Sequence, residues 1–321
     1  MRIMSKYWKK GFFLFFVLIL FTVAGCSATL NTTENIHEKP ATNQETINQN
    51  NPGDISSPIS KPQNKEDKGI LLVHFIDVGQ ADAIFLQLPN NQTMLIDAGN
   101  NKNAGIVVNY IRKSGVKKIH YLVGTHPHED HIGGIDTVIE SFDIEKVIMP
   151  KVNHTTKTFR DVLTAVKKKN LKITRALSGK TIFNNKYLTI TILGPINTNY
   201  EELNNYSAVI KVTYKKTSFL FTGDAEKESE KQILQSGVNI KSDVLKIGHH
   251  GSNSSTTQSF LDQINPQYGI ISVGKDNDYD HPSKKTLKRL KQSGVKVFRT
   301  DKDGNLIFKS DGNSISVSKQ H

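Results

Sequence analysis

Four side chains able to bind metal ions fall within six residues of this chain: His126, His128, Asp130 and His131, in the run Thr125-His126-Pro127-His128-Glu129-Asp130-His131. The run directly follows an apolar segment at 119–123 and precedes Gly133-Gly134. Alternation in the H-x-H step throws two histidines to one side, and D-H sets the next pair beside them. A strand that ends in such a turn gathers imidazoles and carboxylates into a small volume, and Zn²⁺, Mn²⁺ or Fe ions are what those donors accept. The fold must therefore let a strand end open onto a cluster. A bare surface histidine cluster, or a turn held by Asp130, is the alternative; chance seldom gives this spacing after a strand.

The segments around the motif alternate between strand and helix patterns. Runs rich in Val, Ile, Phe and Leu at 70–76, 83–88 and 93–96, separated by Gly, Pro and Asn, read as an opening meander. A helical stripe of Ile106, Val107, Tyr110 and Ile111 stops at Gly115, and the strand at 119–123 follows. Further helices are expected at 134–141, 157–169, 225–235, 257–264 and 283–292. Further strands are expected at 187–193, 208–214, 218–222, 244–247, 268–273, 295–298 and 305–309. Two packed sheets flanked by helices accommodate this order. With one cysteine in 321 residues, neither an intrachain disulfide nor a Cys-rich zinc finger is available.

That cysteine lies at the N-terminus. Arg2, Lys6, Lys9 and Lys10 precede an apolar run at 12–24 that ends Val23-Ala24-Gly25-Cys26, the layout of a secretory signal. The run is too short to span a bilayer, which takes about 20 residues. Its ending resembles a bacterial lipobox, which implies a signal peptide at 1–25, lipidation of Cys26 and a membrane anchor of two acyl chains. An uncleaved anchor helix is the alternative. Residues 26–68 are polar and read as a disordered tether. Residues 69–321 form the expected folded body, on the extracellular face of the cytoplasmic membrane. They hold 34 Lys/Arg against 24 Asp/Glu, a formal +10 that suits anionic partners without selecting among them.

More motifs stand at the expected strand ends. They are Phe75-Ile76-Asp77-Val78-Gly79-Gln80-Ala81-Asp82, Leu95-Ile96-Asp97-Ala98-Gly99, Asn204-Asn205-Tyr206-Ser207 and Phe221-Thr222-Gly223-Asp224. After them come Asp243-Val244-Leu245-Lys246-Ile247-Gly248-His249-His250-Gly251-Ser252, Asp280-His281-Pro282-Ser283 and Arg299-Thr300-Asp301-Lys302-Asp303-Gly304. In this order, and with the H-x-H-x-D-H signature, residues 70–310 resemble the metallo-β-lactamase fold. Within it they are most similar to the extracellular hydrolase domain of the ComEC competence proteins and its free-standing relatives.

The resemblance implies an αββα four-layer sandwich with two divalent metal ions, Zn or Mn, at one sheet edge. His126 and His128 would serve one ion, Asp130 and His131 the other, with Asp224 as the bridge. As an isolated residue, Asp224 also suits a helix N-cap. The His249-His250 pair supplies the last expected imidazole; His250 is favoured as ligand, with His249 as a catalytic group that either supports the ligands from behind or touches substrate. No histidine stands at the usual third-ligand position, since His154 comes too early and reads as an ordinary loop residue. Asn204 and Ser207 stand there instead, leaving room for water or a substrate oxygen. Asp97 is expected to orient a ligating histidine; Asp77 does the same or forms a turn with Gly79, and Asp82 lies in the same stretch. Ser252 would offer a hydroxyl to phosphate. His281 would clamp or protonate a leaving oxygen. Lys285 and Lys288, on the basic helix at 283–292, would follow a phosphate backbone, or form only a solvated face.

A dinuclear site makes hydroxide available near neutral pH and stabilises the charge of in-line attack. The Asp bridge, the basic body and the resemblance lead to a metal-dependent phosphodiesterase, with single-stranded DNA as the expected substrate. Alternatives are a wall esterase acting on phosphorylcholine or related teichoic diesters, a lactone or ester hydrolase, and a non-enzymatic binding lipoprotein.

Overall fold

The computed structural model describes residues 69–320. The expected signal peptide, Cys26 and the tether lie outside the described residues. Leu71–Phe75 (β1), Ala83–Gln87 (β2) and Thr93–Ala98 (β3) form the antiparallel meander that their apolar runs dictate. Ala104–Lys113 (α1) then crosses over, so Lys118–Val123 (β4) runs parallel to β3. One turn of helix at Glu129–Ile132 (α2) and then Ile135–Ser141 (α3) lead into Asp143–Pro150 (β5). Lys157–Lys168 (α4), capped by Thr156, leads to Ile173–Ala176 (β6), and β4, β5 and β6 pair in parallel.

The second sheet repeats the plan. Thr181–Asn184 (β7), Leu188–Gly194 (β8), Val209–Tyr214 (β9) and Thr217–Phe221 (β10) are antiparallel. Lys227–Gln235 (α5), Val244–Lys246 (β11), Gln258–Ile264 (α6), Tyr268–Ile271 (β12), Lys284–Gln292 (α7) and Lys296–Arg299 (β13) then add parallel strands. After one helical turn at Thr300–Asp303 (α8), Asn305–Ser310 (β14) and Ile315–Gln320 (β15) return to the first sheet, β14 pairing with β1. The two sheets run β15-β14-β1-β2-β3-β4-β5-β6 and β13-β12-β11-β10-β9-β8-β7.

Period-two alternation decides which side chain enters which layer. Phe75, Ile84 and Ile96 of the first sheet meet Ile210, Phe219 and Phe221 of the second in one buried core. Their neighbours face outward: Phe85, Leu95 and Leu122 pack on α1, α3 and α4, while Leu220 and Leu245 pack on α5, α6 and α7. The expected αββα sandwich is the observed architecture. Strands β5, β6, β7 and β15 were not expected, and the helix expected from 225 starts at Lys227 with Glu226 as its cap. In both sheets the parallel strands release their loops at their C-terminal ends, which is where an α/β sheet offers a binding crevice.

Candidate metal centre

Each sheet delivers half of the centre. On the first, β4 ends and Thr125 donates its backbone N–H and its hydroxyl to the two oxygens of Asp97, at 2.8 and 2.7 Å. Asp97 sits at the end of β3 with φ +58°, a strained backbone for a residue with a side chain, and its Oδ2 lies 2.7 Å from His131 Nδ1. The buried carboxylate thus fixes the ring and aims Nε2 inward. His126 Nε2 and His128 Nδ1 face each other at 3.0 Å.

On the second sheet, β10 ends at Phe221 and Gly223, with a φ of +51°, turns the chain; a Cβ there would lie 3.0 Å from Thr125. Asp224 follows, its backbone N–H donating to Ser207 Oγ at 3.0 Å, and it caps no helix. Beyond β11, His249, His250 and Gly251 all have positive φ, and a Cβ on Gly251 would meet Pro282 at 2.5 Å. Three consecutive left-handed residues hold this loop in a conformation that costs energy and that packing must enforce. It places His250 Nε2 3.0 Å from Asp130 Oδ2 and 3.6 Å from Asp224 Oδ2, while His250 Nδ1 lies 2.9 Å from the Ser272 carbonyl.

Donor atoms of Asp130, His131, Asp224 and His250 therefore lie within 4.8 Å of one another. Two of the inward atoms, His131 Nε2 and Asp224 Oδ1, are buried and lack a hydrogen-bond partner. An orphaned buried polar atom costs about 1–3 kcal/mol, which a bound cation would relieve. Asp130, His131, Asp224 and His250 fit a divalent metal, and His126 and His128 stand beside them, the His126 ring 4.2 Å from that of His131. Electrostatics agree. Burial alone would raise the Asp224 and Asp130 carboxyls, but His131 and His250 outweigh it and hold both below the usual range. The same carboxylates overcome burial to push His131 and His250 up, whereas burial and then the charge of His131 push His126 down.

A cavity of about 590 Å³ opens over this cluster, walled by Gln80, Asn100, His128, His154, His249, Tyr279 and His281 among others. His249 stands beside the ligand group: its Nδ1 is 3.0 Å from Glu226 Oε1 and its Nε2 3.7 Å from Asp224. Glu226, which the sequence did not single out, also accepts from Asn204 Nδ2 at 3.2 Å and Ser254 Oγ at 2.9 Å. Burial pushes the half-buried His281 imidazole down to about 4, with His249 and His250 adding to it.

Several expectations change. Ser207 is fully buried behind the ligands, 3.4 Å from His126 Nδ1, so it supports them instead of meeting substrate. Asn204 is tied to Glu226 and His249, and neither it nor Ser252, whose hydroxyl pairs with Ser254, walls the cavity. Asp77 forms the turn with Gly79, accepting its N–H at 3.1 Å, and makes no contact with a ligand. Lys285 and Lys288 are exposed on α7 outside the cavity wall, while Arg289 of that helix is committed to the carbonyls of Ser255 and Thr256. His154, read as an ordinary loop residue, walls the cavity with its ring 6.4 Å from that of His128.

Beneath the centre lies an ion pair that the sequence left unmarked. Lys246, with 0% exposure, reaches Asp82 at 2.7 Å, and the other Asp82 oxygen is 3.5 Å from His250 Nδ1. Lys246→Met should destabilise the protein by about 3–5 kcal/mol in urea unfolding, because Asp82 is left as an uncompensated buried charge. Adding Asp82→Asn should recover part of that loss, and wild-type stability in the single variant would contradict the pairing.

Residues 76–275 match the family described as the Metallo-beta-lactamase superfamily. The chain is similar to ComE operon protein 3 of Bacillus subtilis, at 31% identity over 254 residues, covering 74% of this chain and 33% of that protein. It is similar to Recombination protein 2 of Haemophilus influenzae, at 31% identity over 223 residues, 68% of this chain and 26% of that one. Competence protein ComA of Neisseria gonorrhoeae is 38% identical over 106 residues, 33% of this chain and 15% of the relative. The chain spans a third or less of the length of these three relatives.

Proposed function

This chain belongs to the metallo-β-lactamase superfamily, and from that premise we propose a metal-dependent phosphodiesterase, a ComEC-like nuclease acting on single-stranded DNA. The observation that carries the reading is Asp224, a buried carboxylate with one oxygen unpartnered and the other 3.2 Å from His131 Nε2 and 3.6 Å from His250 Nε2. Imidazole and carboxylate donors together suit Zn or Mn. Two such ions would supply an activated water and neutralise charge on a phosphoryl group in flight.

The chain's own residues do the rest. Asp97 holds His131, and Ser272 holds His250, so the donor set is rigid before any ligand arrives. Glu226 accepts from His249 Nδ1, which leaves Nε2 facing the cavity as the atom that carries a proton to a leaving oxygen. His281, whose imidazole burial holds down, packs against the His249 ring at 5.5 Å. The formal +10 on 69–321 favours a polyanion, and the relatives are named for competence and recombination. Attachment through Cys26 at the extracellular face of the membrane belongs to the same proposal and rests on the sequence alone.

The test is a panel: single-stranded oligonucleotide, a teichoic phosphorylcholine diester and a lactone, each with Zn²⁺ or Mn²⁺. Oligonucleotide cleavage faster than the others is expected. Faster hydrolysis of the phosphorylcholine diester would move the assignment to a wall esterase.

A further inference from the structure

The loop after β12 carries a ring that the chemistry above does not use. Tyr279 is 68% exposed, the most open of the large side chains counted as hydrophobic among the described residues, yet it walls the cavity with Asp224, His249 and His250. Its ring stacks on His281 at 5.7 Å and 24°, and His281 meets His249 edge-on at 5.5 Å and 76°. Three rings thus lead from solvent to the His249 imidazole. The outermost is held in place from below. Asn277 Oδ1 accepts the backbone N–H of both Tyr279 and His281, and Asn277 Nδ2 donates to the carbonyls of Gly274 and His281. Burying so large an apolar ring would stabilise the fold by about 1.5–3 kcal/mol, and this one is instead fixed in the open.

We propose that Tyr279, backed by His281, is a stacking platform for one nucleobase of the substrate, placed so that the flanking phosphodiester enters the metal cavity. The inference rests on the nuclease reading and deepens it. Asp276, Asp278 and Asp280 are exposed on the same loop and would repel phosphate, so the loop offers a flat face and not a backbone clamp. Those aspartates would also attract a quaternary ammonium. Such cations are held by rings that converge on them, however, and Tyr279 and His281 lie nearly parallel, with one face of Tyr279 free. A single-stranded base, with its π-face accessible, fits that geometry; a base inside a duplex does not.

The experiment measures kcat/KM of the full protein on a short single-stranded oligonucleotide and on the same oligonucleotide with the base removed at one position next to the scissile bond. Wild type, Tyr279→Ala and Tyr279→Trp are compared with metal bound. Wild type should prefer the base-bearing strand by about 5- to 150-fold, the range that one stacked base carries. In Tyr279→Ala that preference should collapse to within about twofold, and Tyr279→Trp should restore it. An unchanged preference in Tyr279→Ala would overturn the platform while leaving the nuclease reading in place. If wild type cleaves neither strand but hydrolyses a phosphorylcholine diester, the nuclease reading falls and the platform with it. A loss in Tyr279→Ala confined to the phosphorylcholine diester would make the ring a cation site instead.

Discussion

Asp224→Ala is expected to abolish turnover, by at least about 10⁴-fold, and to reduce bound metal from two ions to at most one. Its carboxylate is nearly fully buried, lies 3.2 Å from His131 Nε2 and 3.6 Å from His250 Nε2, and leaves Oδ1 unpartnered. Asp130 reaches the same two imidazoles, 3.7 Å from His131 Nε2 and 3.0 Å from His250 Nε2, but its side chain is 33% exposed and does not replace the buried carboxylate. A loss of 10⁴ corresponds to roughly 5.5 kcal/mol at about 1.36 kcal/mol per decade, a size that only a group acting on the reacting atoms accounts for. His131 and His250 lose the carboxylate that pushes their pKa values up, and some stability goes with it, but each imidazole can release its proton and so leave no unpaired buried charge. The variant should therefore stay folded by thermal melting, and elemental analysis reports the metal content directly. An Asp224→Ala protein that keeps two ions and cleaves at the wild-type rate would remove the bridge from the account.

His249→Gln should lower DNA cleavage by about 10²- to 10⁴-fold while both ions stay bound. Glutamine can still donate to Glu226, so the loop should keep its shape, but it cannot carry a proton from Glu226's side of the ring to a leaving oxygen. The discriminating readout is the leaving group. A DNA 3′-oxygen needs a proton as it departs, whereas 4-nitrophenolate leaves without one. The loss should therefore be large on DNA and within about tenfold on bis(4-nitrophenyl) phosphate. Equal losses on both would make His249 a structural support for His250 and Asp224, not a proton carrier.

How much was legible depended on whether a residue's work was local. The cluster from His126 to His131 was readable because its side chains share one turn, and the αββα order was readable because its core strands carry uninterrupted apolar alternation. Strand β5 was not, because Glu145 and Lys146 interrupt it and only Val147, Ile148 and Met149 mark its buried half. Strands β6, β7 and β15 are short or polar sheet-edge strands, which bury little and so carry little pattern. His249 and His250 are set apart by the left-handed backbone of both residues, which points adjacent rings at different partners, Glu226 for one and Asp130 and the Ser272 carbonyl for the other. No spacing rule encodes that. Glu226, Lys246 and Tyr279 were passed over for one reason. Each acts on a residue brought to it by the fold: Glu226 on His249, Lys246 on Asp82 across the two sheets, and Tyr279 on a cavity built mainly by other loops.

The central claim is that two ions held around Asp224 drive phosphodiester cleavage. It is tested most directly by titrating metal-free protein with Zn²⁺ or Mn²⁺ and following cleavage of a labelled single-stranded oligonucleotide alongside bound metal. Cleavage should be absent without metal, rise as the second equivalent binds, and stay absent throughout the same titration of Asp224→Ala. Full cleavage by the metal-free protein, or two ions bound with no phosphodiester cleaved, would contradict it.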